Sequence, residues 1–115
     1  MRSYQDLIVW RKSLDLCKLV YELALRFPSS EQYGLVSQMR RAVVSIPSNL
    51  AEGYSRASRK EFKQFVSIAL GSSSELETQL FLARDLKFGQ GEKYCIIFDY
   101  LNEVRKMLVV LRRKL

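Results

Sequence analysis

The side chains that enzymes most often use for proton transfer and metal binding are sparse in this chain. It contains no histidine. That removes His-based acid–base catalysis, Ser-His-Asp and Cys-His triads, His-ligated zinc and the Glu-x-x-His sites of di-iron bundles. The two cysteines, Cys17 and Cys95, lack the CxxC spacing of a metal site or redox pair. Each stands in an apolar pattern, so both are expected to be small buried hydrophobes in a reducing cytosol. Glu75 and Glu77 are two apart on a helix and point away from each other, a poor carboxylate dyad. Ser72, Ser73 and Ser74 have no base nearby in sequence, and the glycines form no phosphate-cradling loop. No catalytic residue, metal ligand or cofactor is expected, and the chain reads as a non-enzyme.

Positive charge is the chemistry that remains. Nineteen Lys/Arg against twelve Asp/Glu give a formal charge of +7. Such an excess suits a polyanionic partner, nucleic acid before anionic membrane. Membrane binding is the weaker match, because no helix pairs a basic face with exposed Trp and Phe. The opening residues carry no signal-peptide pattern, and no apolar run approaches the ~20 residues needed to span a bilayer. The expectation is a cytoplasmic protein.

The elements that must carry these charges are helices. With 115 residues, 48% of them apolar, and two prolines, the chain can bury a core as one domain, residues 1–115. The first helix should start near Tyr4 to Asp6 and reach Phe27. Its main seam is Leu7, Trp10, Leu14, Cys17, Tyr21 and Ala24, with a second row of Val9, Leu16, Val20, Leu23 and Phe27 beside it. That is more apolar surface than one bundle helix needs, which points to self-association. Pro28 stops the helix, and Ser29 with Gln32 offers a capping box for the second. Leu35, Met39, Ala42 or Val43, Ile46 and Leu50 supply that helix's stripe, and Pro47 should kink it without ending it. Gly53 and the serines after it should close it. Ser58 and Glu61 form another capping box for a third helix, running from Arg59 to about Phe88. In its middle, Gly71 to Ser74 should mark a close backbone approach or a soft spot facing solvent. Gly89-Gln90-Gly91 is a turn, and the last helix should run from Glu92 to about Arg113. Four long helices with short turns predict an all-α, antiparallel up-down-up-down bundle.

This order sorts the charge. It places the start of helix one, the turn between helices two and three, and the end of helix four at one pole. Ten cations fall there: Arg2, Arg11, Lys12, Arg56, Arg59, Lys60, Lys63, Arg112, Arg113 and Lys114. Only Asp6, Glu52 and Glu61 oppose them, and the remaining nine cations and nine anions balance. Arg112, Arg113 and Lys114 suit a helix C-terminus, but Arg59, Lys60 and Lys63 open a helix against its dipole. Charge placed against local preference points to phosphate contact. No base-reading module accompanies it, so backbone contact rather than sequence readout is expected. The ten residues are therefore the candidate nucleic-acid-binding set.

The segments DLIVW (6–10), VYELALRFP (20–28), YGLVSQMRRAVVSIPSNLAEGYSR (33–56) and EFKQFVSIALGSSSELETQL (61–80) resemble the four-helix-bundle proteins of the 23S rRNA intervening-sequence family, also called S23-type. The likeness covers about residues 6–88; the last helix matches only in apolar character. It implies a ring-like homopentamer. It also implies kinship with the accessory variability proteins of diversity-generating retroelements, which are basic pentameric barrels that bind nucleic acid and a reverse transcriptase. Arg40, Arg41, Asn49, Glu52 and Gly53 match the family's RR…SNxAEG text, and with Pro47 are read as packing or subunit-contact residues. Leu70 departs from the family, which often has arginine there. The expected partners are further copies of the chain, RNA rather than DNA, and a reverse-transcriptase-like protein in an alternative scaffold role.

Overall fold

Apolar residues three and four apart become four long helices in a computed structural model, which describes residues 3–115. They are α1 (Ile8–Ala24), α2 (Leu35–Tyr54), α3 (Arg59–Asp85) and α4 (Lys93–Lys114), with 3-10 turns at Tyr4–Asp6 and Ser29–Glu31. Among the described residues there is no strand. No helix among them is long and apolar enough to cross a membrane. The helices pack as a ring in which α2 and α3 share the most extensive contact and α1 and α4 the least, and neither diagonal pair brings its backbones as close.

The core follows the expected stripes, with α1 contributing from both of its rows. Val9, Leu16, Val20, Leu23 and Phe27 all lie in the core, and so do Leu7, Cys17 and Ala24 of the row read as the seam. In the row read as the seam, Trp10 and Leu14 are half-buried and Tyr21 is exposed. Two adjacent apolar rows compete for one core-facing arc, and spacing alone does not rank them. Met39, Ile46 and Leu50 of α2, Leu76 and Leu80 of α3, and Ile97, Leu101 and Leu108 of α4 meet them at full burial.

Helix ends show which local signals survive packing. Ser58 Oγ accepts from the Glu61 backbone N–H at 3.1 Å, so the expected cap starts α3. The Ser29 cap does not form. Ser29–Glu31 makes a 3-10 turn, and α2 starts later, with Glu31 Oε1 accepting from the Leu35 N–H at 3.3 Å. At the end of α3 the Lys87 and Phe88 N–H groups bond back to Arg84 and Ala83, with Lys87 left-handed at φ 63°. That turn seats Phe88 against Phe27, ring centroids 5.5 Å apart.

The two helical glycines differ in their surroundings, and exposed Gly71 takes the solvent-facing alternative. Gly53 lies one residue before the end of α2 and is buried, and a Cβ there would stand 2.6 Å from Phe65 Cβ of α3. Gly71 has nothing within 4 Å of its missing Cβ, so no backbone closes on it. The serines after it serve different neighbours: Ser72 Oγ lies 2.7 Å from Ser45 Oγ of α2, and Ser74 Oγ accepts from Arg105 of α4. Gly71→Ala should therefore raise stability by ~0.5–1 kcal/mol through helix propensity alone. Denaturant unfolding would show this as a higher midpoint at unchanged slope.

Pro47 is buried within an uninterrupted α2. It has no N–H for the Val43 carbonyl, and that carbonyl instead accepts the Cys17 thiol of α1 at 3.4 Å. Burial pushes this thiol up to about 11 from 9.0, so it stays a protonated donor. Folding thus favours the neutral thiol: its contribution is complete below pH 9 and lost as pH climbs towards 11. Cys17→Val should cost about 1 kcal/mol by stranding the carbonyl. Cys17→Ser should keep the donor and lose the alkaline step assigned to the thiol, while those of Lys12, held by Glu103, and of buried Tyr94, which burial raises to about 12, remain. Urea titrations at neutral and alkaline pH measure both. Cys95, expected to be buried, is exposed on α4.

Candidate nucleic-acid interface

Contacts at one end of the molecule bring the cationic stretches together. The Arg59 guanidinium, at the start of α3, donates to the Lys114 carbonyl at the end of α4 over 2.8 Å. Two turns along, Arg112 Nη1 reaches Ser67 Oγ at 3.5 Å. Asp6 and Ile8, at the start of α1, share an apolar depression of about 430 Å3 with Val110 and Lys114. The Tyr4–Asp6 turn also packs against α2.

The ten candidate cations divide into three groups. Arg11, Arg59, Lys60, Lys63, Arg112, Arg113 and Lys114 make no ion pair among the described residues. Except for Arg112, which is half-buried, they are exposed. Lys12 and Arg56 are engaged. Lys12 Nζ lies 2.7 Å from Glu103 and over the Tyr100 ring, and the Glu103 hydrogen bond holds its pKa above the usual lysine range. Arg56 lies 2.7 Å from Glu52 and 4.0 Å from Glu61, so it meets two of the three acids assigned to this end. Its guanidinium also stacks on Phe65. Arg2 lies outside the described residues.

The pairing leaves a face whose cations have no acidic partner among the described residues. Arg59, Lys60 and Lys63 sit in the first turns of α3, where unsatisfied N–H groups already carry partial positive charge. The C-terminal carbonyls of α4 offset only part of this, through Arg59. A bound phosphate would lower the electrostatic cost of the arrangement. Among the described residues no cluster of His, Cys, Asp and Glu is arranged to hold a metal ion.

The motif residues of α2 divide between this end and the middle of the helix. Glu52 serves Arg56, Gly53 seats Phe65, and Asn49 Nδ2 donates to the Ser45 carbonyl at 2.7 Å and to Ser45 Oγ at 2.8 Å. Arg40 lays its guanidinium 4.8 Å from the Tyr21 ring centroid, with its Nε buried and unpartnered. Arg41 is exposed and makes no ion pair among the described residues. It borders a polar cleft with Glu75 and Gln79 of α3. Sequence reading passed over Gln79. The signal it missed is position: Gln79 falls between Leu76 and Leu80 on a stripe that is otherwise buried, where glutamine needs a reason.

Comparison with known proteins places this architecture. A solved protein of unknown function from the S23 ribosomal protein family of Bacteroides thetaiotaomicron is similar. It is 25% identical over 90% of this chain and 96% of its own, with a TM-score of 0.79. No curated protein matches the chain at a significant level. The family model described as 23S rRNA-intervening sequence protein matches residues 5–110. On that match, the chain is a member of the 23S rRNA-intervening sequence protein family.

Proposed function

We propose that this protein is a non-enzymatic, cytoplasmic, homo-oligomeric bundle that binds RNA through backbone phosphates at its cationic end. The observation that carries this reading is the Arg59–Lys114 contact, which joins two stretches of unpaired cations that are 55 positions apart in the chain. Helices running in opposite directions would produce such a pole. Pairings of Cys17 with Val43, Ser45 with Ser72, Glu77 with Arg105 and Lys12 with Glu103 support the antiparallel up-down-up-down order. A bend of α2 at Pro47 fits the Val43 carbonyl turning to α1 for its donor. The exposed Ile8, Leu25 and Ile96 (63%, 73% and 47%) support self-association, and the family resemblance sets the proposed count at five.

The test is salt. With several phosphates neutralised, log affinity for RNA should fall linearly with log salt, losing on the order of a thousandfold between low and physiological salt. Affinity that held constant across that range would end the phosphate reading. A second reading, a ring that docks a protein such as a reverse transcriptase, draws on the apolar depression beside Ile8 and Val110. Capture of a single protein after nuclease treatment, with no RNA affinity in the purified chain, would favour it.

A further inference from the structure

The two motif segments of α2 and α3 meet in a cleft that phosphate binding at the far end does not use. It holds about 420 Å3 and is lined by Gln38, Arg41, Ala42, Ser45, Glu75 and Gln79. Helical spacing gives its two walls opposite chemistry. Gln38, Arg41 and Ser45 recur three and four apart on α2, a wall led by a cation. Glu75 and Gln79 are four apart on α3, a wall led by a carboxylate and a side-chain carbonyl. Ser45 is held by Ser72 and Asn49 and keeps the walls at fixed spacing.

This cleft lacks a partner. Gln79 is 8% exposed, yet its Oε1 is buried with no hydrogen bond. The other such side-chain atom among the described residues, Arg40 Nε, faces a separate hollow beside Tyr21 of α1 and does not bear on this cleft. A buried acceptor costs its full desolvation when nothing donates to it, so an orphaned carbonyl on a residue of the lining indicates a missing occupant. The occupant must offer an anion to Arg41 and a hydrogen-bond donor to Glu75 and Gln79.

We propose that the α2–α3 cleft seats one ribonucleotide whose base carries an exocyclic amino group, as cytosine, adenine and guanine do. The phosphate lies towards Arg41, and the amino group donates to Glu75 and Gln79 Oε1. Uracil is rejected because its only ring donor, N3–H, is flanked by two carbonyl oxygens, which would face a carboxylate. A second copy of the chain is the poorer occupant. The lining contains no exposed large apolar side chain, and subunit contacts are built around one.

Free CMP and UMP, and short oligo(C) and oligo(U) strands, test this with the full chain. The strand arm rests on the RNA reading above; the nucleotide arm does not. CMP should shift the amide resonances around Glu75 and Gln79 while UMP does not, and oligo(C) should bind about tenfold tighter than oligo(U). Glu75→Gln and Gln79→Leu should abolish that preference and leave oligo(U) affinity unchanged. Gln79→Leu should also unfold no earlier than the parent, because it removes an unpaired buried carbonyl.

Equal strand affinities with CMP and UMP alike silent would overturn the cleft and spare the cationic end. CMP-specific shifts without strand binding would retire the cationic end and spare the cleft. An assembly that falls apart on Arg41→Glu or Gln79→Leu, or earlier unfolding of Gln79→Leu, would show the cleft filled by protein and overturn the proposal.

Discussion

Gly53→Ala should destabilise the protein by about 2–3 kcal/mol, the cost of forcing a methyl into an already packed seam. The new Cβ would stand 2.6 Å from Phe65 Cβ and 3.0 Å from Phe62 Cδ1. A clash with a ring edge could be relieved by rotating the ring. A clash with Phe65 Cβ cannot, because that atom is bonded directly to the α3 backbone, so the helices must separate. Better helix propensity returns only ~1 kcal/mol and does not reverse the sign. For the same reason Phe65→Ala should not rescue Gly53→Ala, since alanine retains the offending atom. Gly71→Ala is the internal control: the same substitution in another long helix, with nothing within 4 Å, and the opposite expected sign. Equal unfolding midpoints for the two variants would refute the closeness of α2 and α3 at Gly53.

Reversing Arg59, Lys60 and Lys63 together to glutamate should weaken RNA binding by about a hundredfold or more and flatten the salt slope by roughly two to three units. None of the three makes an ion pair among the described residues. Their replacement therefore breaks no ion pair and gives up only the Arg59 hydrogen bond to the exposed Lys114 carbonyl, and acids at a helix start suit the dipole. The helical circular dichroism signal should be retained. Lys12→Gln is the contrast. Its ammonium is already held by Glu103 at 2.7 Å, so RNA affinity should change by no more than about twofold. If Lys12 mattered as much as the α3 triad, the division into paired and unpaired cations would be wrong. If the triple reversal left affinity intact, the binding surface would lie elsewhere.

The family match narrows the protein's class without assigning its task, since the similar solved protein is itself of unknown function. That leaves the cationic end and the cleft as separable hypotheses. One depends on salt and the other on base identity, so a single panel of strands at two salt concentrations addresses both.

What the chain alone determined is what depends on near neighbours. The spacing of Ile97, Leu101, Val104 and Leu108 dictates a helix, because 3.6 residues per turn is a property of local backbone geometry. Ser58 and Glu61 dictate where α3 begins, because the cap is closed within four residues. The absence of histidine and the clustering of cations near three chain positions are equally plain from composition and order.

Tertiary structure decided what depends on how the helices roll and slide against one another. Which residues of the two apolar rows on α1 face inward, which glycine meets another helix, and whether Lys12 is free or bound to Glu103, 91 positions away, are set by packing. Gln79 belongs with these. Its neighbours in sequence mark it as a polar residue on a buried stripe, but only the fold shows its carbonyl unpartnered beside the α2–α3 cleft. Helix periodicity is encoded residue by residue, whereas axial offset and rotation emerge from the summed fit of many side chains, and no short stretch of sequence contains that sum.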